Sequence, residues 1–201
     1  MLVVQRAGGD AAMSGEAVKT IGFMPRRPDI DRAAFRTYYE TRHAPLAAPL
    51  FPFRRYRRNH LTDAAIEPGF DCIAEFWIGS LDELGSVMAG EAGDTMRADE
   101  PNFMDQPRIF PVRADPVATG SDTGRTMALL RREGGDPDTL ARTARQAGAG
   151  LDLLAPFGAR PAPFDAILRC EGEPPPLPAG WTAALTVTVE AHETDPATLR
   201  G

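Results

Sequence analysis

Residues 35–50, FRTYYETRHAPLAAPL, hold an aromatic helix face, a histidine and a proline within one short stretch. Counted from Asp31, the larger apolar side chains fall at Phe35, Tyr38, Tyr39 and Leu46, the spacing of a single helical face. His43 lies four residues beyond Tyr39 and eight beyond Phe35, so it shares that face. Asp29 or Asp31 can cap the helix. Pro45 disfavours helical backbone at Ala44 and removes an amide, so the helix is expected to stop near His43. The imidazole would then sit at a helix C-terminus, where the dipole favours the protonated ring. At the rim of an apolar space it is the first candidate for proton chemistry. A packed, hydrogen-bonded core histidine is the competing reading.

The flanking segments alternate as strands do. Val18–Met24 (VKTIGFM) is short and apolar, and PRRPD supplies a turn after it. In FPFRRYRRNHLT, residues 51–62, alternation places Phe51, Phe53, Arg55, Arg57, Asn59 and Leu61 on one side and Arg54, Tyr56, Arg58, His60 and Thr62 on the other. The four arginines read as a solvated strand face that protects an edge, or as a phosphate-binding strip. Residues 70–78, FDCIAEFWI, set Phe70, Cys72, Ala74, Phe76 and Ile78 on one apolar face and Asp71, Ile73, Glu75 and Trp77 on the other. Two acids on an enclosed face should have their neutral forms favoured unless paired, with Arg54 or Arg58 as the available partners. Ser80 and Glu83 have capping-box spacing for a helix to about Glu91. Residues 94–105 form an acidic loop or helical turn without the regular spacing or the glycine of a calcium loop. Arg108–Arg113 is a last short strand, and residues 114–124 read as a linker.

This β-α-β-β-α-β order is the ferredoxin-like arrangement, which leaves one sheet face bare and in need of a second sheet. The second half supplies one as a worn copy. Thr126–Leu130 aligns with Thr20–Met24, a helix at 136–148 with the one at 31–43, and Phe164–Ile167 with Phe70–Ile73. Where the copy's second helix should be stands EGEPPPLPAG, residues 171–180, which cannot be helical. The expected class is therefore α+β: two ferredoxin-like units packed sheet to sheet. The units span 18–115 and 125–201, the second lacking one helix, after a disordered segment 1–17.

Composition bounds the function. The 201 residues carry a net charge of −6, which argues against nucleic acid as partner. No apolar run approaches the roughly 18 residues of a membrane span. Cys72 and Cys170 form neither a metal-ligand spacing nor a disulfide framework, so a reducing cytoplasm is expected.

YYETRHAPLA at 38–47, RRYRRNH at 54–60, FDCIAEFW at 70–77 and ADEPNFMD at 98–105 together resemble the EthD family, over roughly residues 18–113. The resemblance implies a dimeric α+β barrel, two ferredoxin-like units packed sheet to sheet around an enclosed cavity, which the tandem units of this chain would close as a monomeric pseudo-dimer, or as a homodimer. It also implies relatives among cofactor-free decarboxylases, cyclases, dehydratases and lactone isomerases. Others are cofactor-free monooxygenases and heme-degrading enzymes. His43 matches the histidine of the family signature, Asp99 and Glu100 its D-E pair, and Asp71 and Glu75 its strand acids. The implied function is a cofactor-independent enzyme that moves a proton on a small hydrophobic, aromatic or oxygenated molecule inside the barrel cavity. His43, Asp71 and Glu75 are its expected catalytic groups. Tyr39, Tyr56, His60, Trp77, Asp99 and Phe103 are the expected substrate-binding set. A non-catalytic binding protein or a cofactor-free monooxygenase is the alternative. Heme, ligated by His43 or His60, is the one cofactor to weigh, and none is expected.

Overall fold

Alternating apolar strands with one greasy face each must pair face to face or curl, and here they curl. The computed structural model describes residues 17–120 and 124–200. Apart from Ala17, the segment expected to be disordered lies outside these residues. Strands β1 (Val18–Met24), β2 (Phe53–Leu61), β3 (Cys72–Ile78), β4 (Phe110–Ala118), β5 (Thr126–Arg132), β6 (Gly150–Pro156), β7 (Ala166–Cys170) and β8 (Trp181–Glu193) form one closed barrel. The order is β1-β3-β2-β8-β5-β7-β6-β4, antiparallel throughout. Each half contributes four neighbouring strands in ferredoxin-like order, and the seams β2–β8 and β4–β6 join them. Closure removes every sheet edge. The fold is the expected α+β barrel, built within a single chain.

Strand β4 runs to Ala118, so residues 114–118 of the segment read as linker belong to the ladder. Its pairing with β6 across a bulge at Pro116–Ala118 shows why: small residues tolerate the close seam. The barrel interior is packed at one end by Ile21, Phe23, Ile73, Met127, Leu129 and Val187. Phe70 precedes β3 and joins this cluster edge-on to Phe23 at 5.1 Å, so it does not share the face of Cys72 and Ala74.

The other interior end is polar. Glu75 accepts from Asn59 Nδ2 at 2.7 Å and pairs with Lys19 Nζ at 2.8 Å and with Arg169. Lys19 also reaches Asp152 at 2.7 Å. The arginines of β2 are a solvated strip only at its start, where Arg54 is exposed and Arg55 half-buried: Arg57 turns inward, and Arg58 lies buried beneath the helices. A bulge between Phe53 and Arg55 resets the alternation, so that Phe53 and Tyr56 end on the same, helix-covered side.

Helix α1 (Arg32–Tyr38) is capped by Asp31, whose carboxylate accepts from the Ala34 amide at 2.7 Å. The chain does not stop at His43. A π turn over Tyr39–His43 leads into α2 (Ala44–Ala47), with the Ala44 amide on the Tyr39 carbonyl. The wider turn absorbs Pro45, which lacks the amide an α turn would use and would crowd the carbonyl four residues back. The extra residue also rotates the face. Ala44, Ala47 and Ala48 are buried in place of Leu46, which is exposed. Helices α3 (Leu81–Met88, capped by Ser80) and α4 (Glu91–Asp99) complete this layer. In the second half α5 (Pro137–Gln146) stands alone, with Leu140, Ala141 and Ala144 buried against the sheet. No helix forms over 171–180, and Trp181 covers that ground. A side chain at Gly135 would meet the Trp181 ring at 2.4 Å, so glycine is required there. No described helix is long and apolar enough to cross a membrane.

Candidate active site

The open space lies outside the barrel, between the β1–β3–β2 surface and the helices of the first half. It is a cavity of about 500 Å3 lined by apolar side chains such as Met24, Phe53, Phe76, Leu84, Met96 and Met104. Only a few polar groups border it: Thr20, His43, Tyr56 and Glu100. An apolar hollow with few convergent polar groups is the usual form of a small-molecule site. The barrel interior, where a cavity was expected, is filled by the apolar cluster and the Glu75 network.

His43 is placed by the π turn. Its Nδ1 lies 2.8 Å from Asp99 Oδ2, and Asp99 Oδ1 accepts the Tyr38 hydroxyl at 2.8 Å. The ring is wedged between Tyr39, edge-on at 5.0 Å, and Phe103 at 4.9 Å. A carboxylate partner fixes the proton on Nδ1 and leaves the Nε2 lone pair as the basic site at the cavity wall. Burial pushes the His43 pKa down, and the Asp99 bond offsets this only in part, so the neutral ring is favoured. That reverses the expectation of a dipole-stabilised cation. The helix continues past His43, and no C-terminus is there to supply one.

The acids proposed as partners stand elsewhere. Asp71 is buried at the barrel rim, where its carboxylate receives Arg26 and Arg32. Glu75 lies inside the barrel. Burial raises its pKa, but Lys19 and Arg169 outweigh that and hold it at about 2. Neither borders the cavity; Asp71 pairs with Arg26 and Arg32, and Glu75 with Lys19 and Arg169, while Arg58 pairs with Glu40. Trp77 stands between Lys19 and Arg55, each 4.7 Å from its ring, away from the cavity. Tyr56 lines the cavity with its ring while its hydroxyl donates to Tyr39 at 3.1 Å. Tyr39 and Phe103 form the wall behind His43, not the lining.

His60 is fully enclosed and bonds Glu40 through Nε2 at 2.6 Å. Glu40 also takes Arg58 at 2.7 Å. Burial raises the Glu40 pKa, but the bonds from His60 and Arg58 prevail and hold it at about 2. Glu40 thus rivets the π turn to β2. Heme fits poorly. His60 does not border the cavity, and the lining has no lysine or arginine among the described residues to meet propionates. Glu100 and the methionines were missed as lining. The Asp99-Glu100 adjacency was the available signal.

Residues 27–107 match the EthD domain family. No curated protein matches the chain. Among solved structures, an EthD family protein from Bacillus halodurans is 21% identical over 50% of this chain and 98% of its own, with a TM-score of 0.40. An anthrone oxidase-like protein is 10% identical over 88% of this chain and 93% of its own, with a TM-score of 0.50. The second likeness spans both halves and shows the same barrel fold. His43, Asp99 and Glu100 all lie inside the segment that matches the EthD domain family.

Proposed function

We propose that the cavity binds a small hydrophobic molecule and that His43 takes a proton from it through Nε2, without a cofactor. The observation that carries this reading is the 2.8 Å His43–Asp99 pair at the wall of an apolar cavity. Asp99 holds the ring and its tautomer, Tyr38 holds Asp99, and Phe103 and Tyr39 prevent the ring from turning. A neutral imidazole is a moderate base. It suits a proton made acidic by conjugation, such as a phenol or a carbon beside carbonyl groups. Loss of that proton opens the way to decarboxylation, cyclisation, dehydration or isomerisation, and the positioned base supplies on the order of a hundredfold or more.

Hydrogen–deuterium exchange needs no knowledge of the final product. The chain is incubated in D2O with aryl ketones and aryl 1,3-diketones, and deuterium at the acidic carbon is read by mass spectrometry. Wild type accelerates exchange in at least one member, and His43→Ala returns it to background. Compounds that bind but never exchange would sink the enzyme reading and leave a carrier.

A further inference from the structure

We infer that Glu100 is the second polar anchor of the cavity and donates a hydrogen bond to the ligand oxygen on which charge lands when His43 takes the proton. The inference rests on the proton-transfer reading and adds the ligand class: a hydrophobic molecule whose acidic proton is conjugated to an oxygen some distance from it.

The argument begins with the chain. Asp99 ends α4 and clamps His43, and Glu100 follows it directly, so the backbone that positions the base also positions the second carboxyl. The Glu100 carbonyl accepts the Phe103 amide at 3.1 Å and the Met104 amide at 2.8 Å, which locks its backbone. Its side chain borders the same cavity as His43. Gln106 Nε2 donates to Oε2 at 2.7 Å, and Oε1 has no hydrogen-bond partner among the described residues.

Next comes the chemistry of the lining. Proton abstraction in an apolar hollow creates an anion, and the lining holds no lysine or arginine to receive it. The Tyr56 hydroxyl proton is already given to Tyr39. The hydroxyl of Thr20 and the carboxyl of Glu100 remain. A carboxyl serves as a donor only when protonated, and its surroundings shift it toward that form. Burial raises the Glu100 pKa, and the neighbouring Asp99 charge adds to this. Gln106 and Arg97 pull the other way and offset it in part. A carboxylic acid kept neutral by an apolar site is an established way to stabilise an enolate oxygen. The step balances without a redox partner. The ligand's C–H or O–H bond breaks, an N–H bond forms at His43 Nε2, and the electron pair settles on the oxygen facing Glu100.

The test uses 4-nitrophenol, whose phenolate is coloured and carries its charge toward both oxygen-bearing ends. The control is 4-nitroanisole, of similar shape with no proton to lose. Both are titrated into the full chain at pH 7. In Glu100→Leu, nitrophenol binding should weaken about tenfold or more and the bound phenolate band shrink, with nitroanisole binding unchanged. Glu100→Gln keeps a donor and should restore most of the affinity. It should also remove the wild-type decline in binding as pH rises and Glu100 ionises. Equal weakening of both ligands in Glu100→Leu, or no change in either, overturns the proposal. Loss of the phenolate band in His43→Ala reads the base separately. If wild type binds neither probe, the cavity reading fails and this inference with it.

Discussion

Asp99→Asn isolates the part of the site that orients the base. The substitution is nearly isosteric. The amide oxygen can still accept the Tyr38 hydroxyl, which now lies 2.8 Å from Oδ1, while the amide nitrogen takes the place of Oδ2, 2.8 Å from His43 Nδ1. Two donors cannot face each other there, so the imidazole proton moves to Nε2 and the cavity is offered an N–H in place of a lone pair. One charge-assisted hydrogen bond becomes a neutral one in a mostly enclosed place, a cost to stability of about 1–2 kcal/mol. The effect on proton transfer is far larger, on the order of 10²–10⁴, because the base is lost through its tautomer while its position is kept. The His43 pKa falls further, since burial lowers it and Asp99 supplies the main opposing influence. Deuterium exchange gives the rate, and ¹⁵N–¹H long-range NMR correlation of the His43 ring gives the tautomer and its titration. Unchanged exchange with the proton still on Nδ1 would refute the orienting role of Asp99.

The barrel interior makes a separate claim. Glu75→Leu leaves Lys19 and Arg169 with Asp152 as the remaining carboxylate of this network among the described residues and should cost roughly 3–5 kcal/mol in urea unfolding; a loss below 1 kcal/mol would show the network to be solvated. The Glu75 carboxyl falls from 4.5 to about 2 on folding, so its contribution is complete above pH 4.5 and disappears as pH drops through about 2. That is worth about 3 kcal/mol, with a smaller share from the more accessible Glu40, and chemical denaturation between pH 6 and 2 should show it; flat stability over that range would contradict the ion pairing. Gly85 lies within α3 with nothing within 4 Å of an added Cβ, so Gly85→Ala should stabilise by about 0.5–1 kcal/mol in thermal unfolding. Gly85→Phe should fill the cavity it borders and abolish probe binding with the fold retained; undiminished binding would place the ligand elsewhere.

The fold was legible because period-two alternation in 18–24, 70–78 and 181–190 survives the short length of the strands. The prolines of 171–180 announced the missing helix equally well. The site was legible only in part. His43 was found from its face, but its protonation was not, because the proline that signals a helix end is absorbed by a π turn that no periodicity reports. Spacing puts Asp71 and Glu75 on one side of β3; in the structure Asp71 precedes the strand and meets Arg26 and Arg32 at the rim, and Glu75 alone keeps the inner side. Spacing alone cannot say that this side faces a barrel interior holding Lys19, Arg57 and Arg169 from other strands. Asp99 is 56 residues from His43, and the register that joins them belongs to tertiary packing.

The placement of the cavity follows from the same packing. A closed eight-stranded barrel must fill its interior with side chains, so little room for a ligand remains there. The helix layer is less constrained. Over the second half a single helix and Trp181 seal the sheet with Leu140, Ala144 and Leu168. Over the first half, α3 has no fully buried residue, and Met88 beside the cavity stays exposed. Helices that hold the sheet loosely leave a hollow, and methionines, which adapt their shape at small cost, line it from β1, α3, α4 and the segment after it. The second half thus completes the barrel with a sealed helix layer. That frees the other half to keep an underpacked, apolar space with a neutral imidazole at its wall.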